Sequence, residues 1–337
     1  MVEGRSIMSD LPNISLVGCG YWGKNLCRNF NALGALAEVV DSTEAGQANA
    51  LSIAPQVSVS SSFDEMLENP SIQAVALATP AETHADLAVR AMGAGKDVFV
   101  EKPMALSLED AKKMKVSAEE NDCILMVGHL LEYHPAVLKL RHLIDSGELG
   151  KINYVYSNRL NFGKVRTEEN ALWSFAPHDV AVILRLIGAF PHEISATGGN
   201  YLTEGLADVT VSNLRFPDES RAHIFVSWLH PFKEQRLVVI GDKKMAIFND
   251  VQPYGDKLVL YPQTVEFEDK IPILRKEDAQ PVEYPDAEPL REECRHFIEC
   301  VAKRSNPLTD AQSGIDVLKV LHGCQASINQ NGTPVSL

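Results

Sequence analysis

The chain has 337 residues, of which 45% are hydrophobic and 23% charged; that is enough for a buried core and, at roughly 100 to 200 residues per domain, for two domains. Lys and Arg number 31 against 45 Asp and Glu, a formal net charge of -14 that disfavours nonspecific binding to nucleic acid or to an anionic membrane surface. No apolar run approaches the roughly 18 to 20 residues of a membrane span, and the six cysteines are scattered with no CxxC pair, as in a cytoplasmic protein with reduced thiols.

Residues 1–11 read as a tail: they hold no apolar core and carry Glu3 and Asp10, which argues against a signal peptide. From residue 12 to 128, apolar strands alternate with amphipathic helices, the pattern of a doubly wound parallel sheet covered on both faces. Ile14 to Val17 is a short buried strand. Trp22, Leu26, Phe30 and Leu33 then share one helical face, and Gly34 stops the helix. Further strands end at Val39-Val40-Asp41, cover Ala74 to Ala78, and run from Asp97 to Glu101. Ser107-Leu108-Glu109-Asp110 resembles a capping box with Asp in place of Glu and opens a helix over 108–121. Cys123 to Val127 closes this domain.

The pattern then changes. A helix over about 135–146 stops at Gly147, and strand-like stretches dominate at 151–161, 207–215, 221–229, 235–240 and 244–248. One helix interrupts them at about 177–187, ended by Gly188, and two more, about 288–304 and 311–327, finish the chain. Short turns between successive strands predict a large, mostly antiparallel sheet, so residues 129–337 form an α+β domain.

Gly18-Cys19-Gly20-Tyr21-Trp22-Gly23 matches G-x-G-x-x-G between a strand and a helix. The first glycine permits a tight turn, the second lets the backbone approach a pyrophosphate, and the third lets the helix pack close to the sheet. Tyr21 and Trp22 belong to the same cofactor turn. Asp41 follows at a strand end about 20 residues on, where a carboxylate accepts bonds from the adenosine ribose and repels a 2′-phosphate. Residues 29–89 contain neither Arg nor Lys, which favours NAD over NADP. A loop-capping role for Asp41 is compatible with the same assignment.

At the other end of the cofactor, Thr79-Pro80-Ala81-Glu82-Thr83-His84 follows a strand and enters a helix, and Glu101-Lys102-Pro103 ends the next strand. Pro103 cannot extend a ladder, so Lys102 is thrown toward the crevice at the carboxyl ends of the strands. A lysine after the apolar Val98-Phe99-Val100 is either an unusual surface residue or a group whose pKa desolvation lowers into a useful range.

Taken together, Gly18 to Gly23, Thr79-Pro80, His84 and Glu101-Lys102-Pro103 resemble the Gfo/Idh/MocA oxidoreductases over nearly the whole chain. The resemblance implies an N-terminal Rossmann domain and a C-terminal α+β domain. It also implies NAD as cofactor, Thr79, Pro80, His84 and Glu101 on the nicotinamide side, and Lys102 between substrate and nicotinamide. Homodimers or homotetramers built through the C-terminal sheet are implied as well.

Many members carry Asp-x-x-x-His on the first helix of the second domain. Alignment by Gly188 places that histidine at His178, inside Trp173-Ser174-Phe175-Ala176-Pro177-His178-Asp179, with Ser174 where the aspartate stands. Asp179 does not replace it, because adjacent helical residues point about 100° apart. His178 is then a base, a substrate hydrogen-bond donor, or a helix-start residue packed beneath the cleft. The expected site brings the reacting hydroxyl to Lys102 and His178, with Lys102 indispensable.

Arg159-Leu-Asn-Phe-Gly-Lys-Val-Arg166, Glu168-Glu169-Asn170 and Leu172-Trp173-Ser174 resemble a narrower branch that oxidises the 3-hydroxyl of UDP-N-acetylglucosamine. Arg159, Lys164 and Arg166 are candidate partners for a diphosphate, Asn170 is a further substrate contact, and Trp173 offers a wall to a sugar face. This branch implies a UDP-sugar substrate, a downstream aminotransferase and a destination in lipid A or another envelope glycan. The rivals are oxidation of a free polyol, an inositol or a dihydrodiol, and a non-catalytic NAD-binding sensor. His129 and His134 lack a third ligand at zinc-like spacing, so no metal is expected. No G-x-S-x-G, GxxxxGK[ST] or HExxH occurs. Cys19, at a helix N-terminus, reads as a packing residue.

Overall fold

The computed structural model describes residues 11–337; the expected tail over 1–11 lies outside them except for Leu11. The chain forms two compact units, one of residues up to Leu130 with Glu288–Leu318, the other of Leu131–Ala287 with Lys319–Leu337.

The first unit begins with β1 (Ile14–Val17), α1 (Gly23–Ala32), β2 (Leu36–Val40), α2 (Glu44–Ile53), β3 (Ser58–Ser60) and α3 (Phe63–Glu68). It continues with β4 (Ala74–Leu77), α4 (His84–Gly93), β5 (Asp97–Glu101), α5 (Leu108–Glu120) and β6 (Leu125–Gly128). Among the described residues these six strands form one parallel sheet in the order β3-β2-β1-β4-β5-β6. Residues of β1, β4, β5 and β6 are buried throughout, as strands covered on both faces require. The order reverses between β1 and β4, so their carboxyl ends, Gly18 and Thr79, flank the crevice where such sheets bind ligands. Ser107 caps α5 as the sequence predicts, accepting from the Asp110 amide at 3.0 Å.

The second unit opens with α6 (Pro135–Asp145), β7 (Ile152–Phe162) and α7 (Ala171–Ile187). Then come β8 (Glu193–Gly199), β9 (Val209–Arg215), β10 (Arg221–Ser227), β11 (Leu229–Gly241), β12 (Met245–Asn249) and β13 (Leu258–Tyr261). A two-stranded hairpin, β14 (Gln263–Glu268) with β15 (Ile271–Lys276), precedes the short β16 (Gln280–Pro281). The remaining elements are α8 (Pro289–Lys303), α9 (Ala311–Asn329) and β17 (Val335–Ser336). Among the described residues nine strands make one sheet in the order β16-β13-β12-β11-β7-β10-β9-β8-β17. Only β7 and β10 pair in parallel; the other neighbours are antiparallel. Helix α7 packs on β7, β9 and β10.

Two expectations need correction. The C-terminal domain is not continuous over 129–337, because residues 288–318 return to the first unit. Phe297 of α8 explains why: it packs edge-on against Phe99 of β5 at 5.7 Å and Phe30 of α1 at 6.4 Å. Arg304 also pairs with the buried Asp97 at 2.6 Å, and Thr309 donates to the Val127 carbonyl. Second, α7 starts six residues before Pro177. Proline is favoured in a first turn, which made Pro177 look like the start. The actual cap is Asn170, whose side chain accepts from the Trp173 amide, leaving Pro177 inside the helix. His178 is therefore a mid-helix residue.

Candidate active site

The glycine turn is shaped as its pattern requires. Gly18 has φ +91°, and a Cβ there would stand 2.8 Å from the Ala78 carbonyl oxygen; a Cβ on Gly23 would stand 2.0 Å from that of Gly18. Gly20 differs, since a Cβ there would meet nothing within 4 Å. Its side is open, as close approach by a pyrophosphate demands. Helix α1 begins beside it with no side-chain cap and no acidic residue in its first turn, whereas α2, α3 and α5 are each capped by a Ser or Thr hydroxyl. Uncapped amides and the positive end of the helix dipole suit an anion. Tyr21 and Trp22 are exposed on this turn.

Asp41 both fits a ribose and serves the protein. Its Oδ2 accepts from the Cys19 amide at 2.7 Å, and its Oδ1 accepts from the amide and hydroxyl of Thr43. Burial favours the neutral acid, but these bonds outweigh it and hold the carboxyl below its usual range. The latch ties the glycine turn to β2 and uses about three of roughly four lone-pair positions, leaving one for a hydroxyl.

Glu101 is nearly buried at the end of β5. Its Oε1 accepts from Trp22 Nε1 at 2.5 Å, and its Oε2 lies 3.2 Å from the Lys102 amide. Burial pushes its carboxyl up to about 7, against the pull of the Trp22 bond and the nearby Lys102 charge. Lys102 is half-buried, and the Lys102–Pro103 peptide is cis. Thr79 is also half-buried, with its hydroxyl accepting from Thr83, and Pro80 is exposed. His84 departs from expectation. It is buried, and its two ring nitrogens lie 2.9 Å from the carbonyls of Pro103 and Thr79. Burial pushes its pKa down against the pull of the two carbonyls; a neutral ring donates to one of them and an imidazolium to both, so the ring links the Thr79 turn to the Lys102 turn. It holds these two turns together without facing outward.

In the second unit, Asp179 sits on the sheet side of α7, where Ser157 donates to it at 2.6 Å and Arg159 pairs with it through Nε at 2.7 Å and Nη2 at 3.1 Å. The two side chains are 14% and 2% exposed. Arg159, expected beside a phosphate, is thus engaged in a buried structural pair. His178, the neighbour of Asp179 on the helix, is half-buried and points elsewhere, as helical geometry dictates. Ser174 accepts from Arg166 Nε at 3.1 Å, and Arg166 also pairs with Glu168 and Glu169. Lys164 is exposed. Asn170 and Trp173, expected to touch substrate, both donate to Gln325 Oε1, at 2.8 and 3.2 Å; Trp173 also meets His322 edge-on at 5.0 Å. These bonds make them a seam between α7 and α9. Gln325, 152 residues beyond Trp173, carries no sequence signal that would have found it. Among the described residues, no cluster of three or more His, Cys, Asp or Glu is placed to hold a metal ion. No helix there is long and apolar enough to cross a membrane.

Comparison with known proteins agrees with this geometry. The model of the oxidoreductase family with an NAD-binding Rossmann fold, GFO/IDH/MocA, matches residues 13–129, and that of the family's C-terminal domain matches residues 137–247. This chain belongs to the Gfo/Idh/MocA family. It is an NAD-dependent oxidoreductase, and the open side of Gly20 is compatible with that cofactor. Among its relatives is the scyllo-inositol 2-dehydrogenase (NAD(+)) of Bacillus subtilis, 30% identical over 81% of this chain and 80% of that one. Another is the UDP-N-acetylglucosamine 3-dehydrogenase of Acidithiobacillus ferrooxidans, 26% identical over 90% of this chain and 93% of that one. A crystal structure of the latter enzyme shares the fold, with a TM-score of 0.81 at 23% identity, covering 94% of this chain and 98% of that chain.

Proposed function

We propose that the protein oxidises the 3-hydroxyl of a UDP-linked amino sugar, UDP-N-acetylglucosamine, to the 3-ketone. The observation carrying this reading is likeness to a UDP-N-acetylglucosamine 3-dehydrogenase along 90% of the chain, including the segment with Lys164, Arg166 and Trp173. With Arg159 engaged by Asp179, the diphosphate falls to Lys164 and Arg166. Bound NAD supplies a hydride acceptor. Lys102, as the free amine, takes the hydroxyl proton while the hydride leaves the same carbon, and Glu101 beside it stabilises the resulting ammonium. His178 is a second proton-handling group for the substrate. Thr79, Pro80, Glu101 and His84 shape the nicotinamide side, with His84 acting through the turns it joins. A 3-ketone of this kind is a substrate for amination, so an aminotransferase of a 3-amino sugar route, such as one feeding lipid A, is the expected consumer. Self-association through the nine-stranded sheet belongs to the same reading; Tyr156 and His223, stacked at 5.0 Å and only half-buried, support it.

A second reading, oxidation of a free polyol, is favoured by the 30% identity to an inositol dehydrogenase. One assay separates them: NADH absorbance with NAD and each of UDP-N-acetylglucosamine, free N-acetylglucosamine and inositol, with an aminotransferase and glutamate removing the ketone. Growth with the UDP-sugar alone supports the first reading, and growth with inositol alone overturns it. Lys102→Met is expected to lower turnover by about 10² to 10⁴, the usual worth of an acid–base group, while NAD affinity stays within a few-fold. Retention of most activity refutes the role of Lys102.

A further inference from the structure

The cofactor turn and the Lys102 strand end are joined by one side-chain bond. Trp22 is the residue just before the third glycine; it is 37% exposed, while its Nε1 reaches Glu101 Oε1. Glu101 is buried on its other sides. A Cβ on Gly128 of β6 would come within 3.1 Å of its Oε2 and of Phe99, so Gly128 packs closely against the carboxylate across the sheet. A carboxylate so enclosed needs donors. The Trp22 indole N–H, which donates and never accepts, meets one oxygen, and the Lys102 amide lies at the other.

We infer that Trp22 is a positioning residue for Lys102, acting through Glu101: the turn that receives the pyrophosphate also fixes the carboxylate that sets the charge of the lysine. This rests on the role proposed for Lys102 and adds a residue to it. Without the indole donor, Glu101 takes its proton more readily, and Lys102 loses the anion that favours its ammonium form. Occupancy of the turn, by fixing the Trp22 ring, then reaches the proton-accepting group through two side chains. The ionisable groups facing Glu101 are Lys102 beside it and, from α8, Cys294 with Glu293 next to it.

The test has an arm that needs no turnover. Tryptophan emission of the apoenzyme is followed from pH 5 to 9 for the wild type, Glu101→Gln and Trp22→Phe. Of the other two tryptophans, Trp228 bonds to Asp208, whose hydrogen bonds outweigh its burial and hold its carboxyl below the usual range, outside this window. Trp173 adjoins His322, and that signal is common to all three proteins. The expected result is a wild-type transition near pH 7 that both variants lack. In the second arm, the acidic limb of the kcat profile reports ionisation of Glu101, whose carboxylate stabilises the Lys102 ammonium formed in the step, and Trp22→Phe is expected to move that limb upward by about one pH unit, the worth of a hydrogen bond to a charged group. A wild-type titration indistinguishable from that of Glu101→Gln overturns the inference. So does a Trp22→Phe profile lowered by one factor at every pH. If the UDP-sugar is not the substrate, the kinetic arm runs on the polyol that is turned over, and the apoenzyme titration decides the bond either way.

Discussion

Replacing Arg159 with Ala distinguishes most sharply between what the sequence suggested for this residue and what the fold does with it. The Asp179 carboxylate is 2% exposed and Arg159 14%, so the pair sits largely out of water. Removal of the guanidinium deletes two contacts, at 2.7 and 3.1 Å, and leaves a buried anion with the Ser157 hydroxyl as its remaining short donor. Breaking a buried pair from one side typically costs on the order of 3 to 5 kcal/mol; with Arg159 partly exposed, about 3 kcal/mol is the figure to expect. For a unit of this size, about 2 to 4 °C of melting temperature per kcal/mol gives a loss of roughly 6 to 12 °C. The assay is a thermal melt at pH 7.5 of Arg159→Ala, Asp179→Asn and the double variant Arg159→Leu/Asp179→Leu. The double variant is expected to recover most of the loss, because it leaves no unpaired charge. An Arg159→Ala protein that melts like the wild type, yet needs tenfold more UDP-sugar for half-saturation, refutes the structural assignment and returns Arg159 to the diphosphate.

Other predictions follow from the same geometry. Glu101 has its pKa raised from about 4.5 to about 7, so the folded state binds its proton more tightly and its contribution to stability falls as pH rises between those values. Glu101→Gln is therefore expected to match the wild type near pH 5 and to exceed it by up to about 3 kcal/mol above pH 7.5 in urea unfolding; the opposite pH trend refutes the buried acid. Gly20→Ala is expected to keep its melting temperature within about 2 °C while NAD binding weakens tenfold or more by calorimetry, because a Cβ there meets only the space a pyrophosphate needs. Gly23→Ala forces a Cβ to 2.0 Å from a carbonyl oxygen, so both folding and binding suffer. Arg166→Ala is expected to raise the KM for the UDP-sugar about tenfold and leave the NAD Kd unchanged; an unchanged KM in steady-state assays counts against the diphosphate role.

Much of the first unit was legible in sequence because its signals are local. A parallel strand buried on both faces reads as a short apolar run, and the glycine turn, Ser107 cap and Lys102-Pro103 strand end are each set by neighbours a few residues away. Asp41 was legible too, with a capping role compatible with its cofactor assignment, although its bond to the Cys19 amide of the glycine turn was not. The second unit shows where local signals fail. Pro177 imitates a helix start, and only the Asn170 cap and the packing of α7 on the sheet reveal six earlier helical residues.

What the sequence by itself determined is the order of elements, the cofactor turn and the residue types available for chemistry, since these follow from periodicity and short-range sterics. Which polar side chains are left to meet a ligand was decided by tertiary structure alone. Arg159 was drawn to Asp179 at a separation of 20 residues, Asn170 and Trp173 to Gln325 at 155 and 152, and Trp22 to Glu101 at 79. Residues 288–318 rejoined the first unit because Phe297 found the gap beside Phe30 and Phe99. A buried charge or donor must find a partner wherever the chain brings one, and that distance leaves no periodic mark on the sequence.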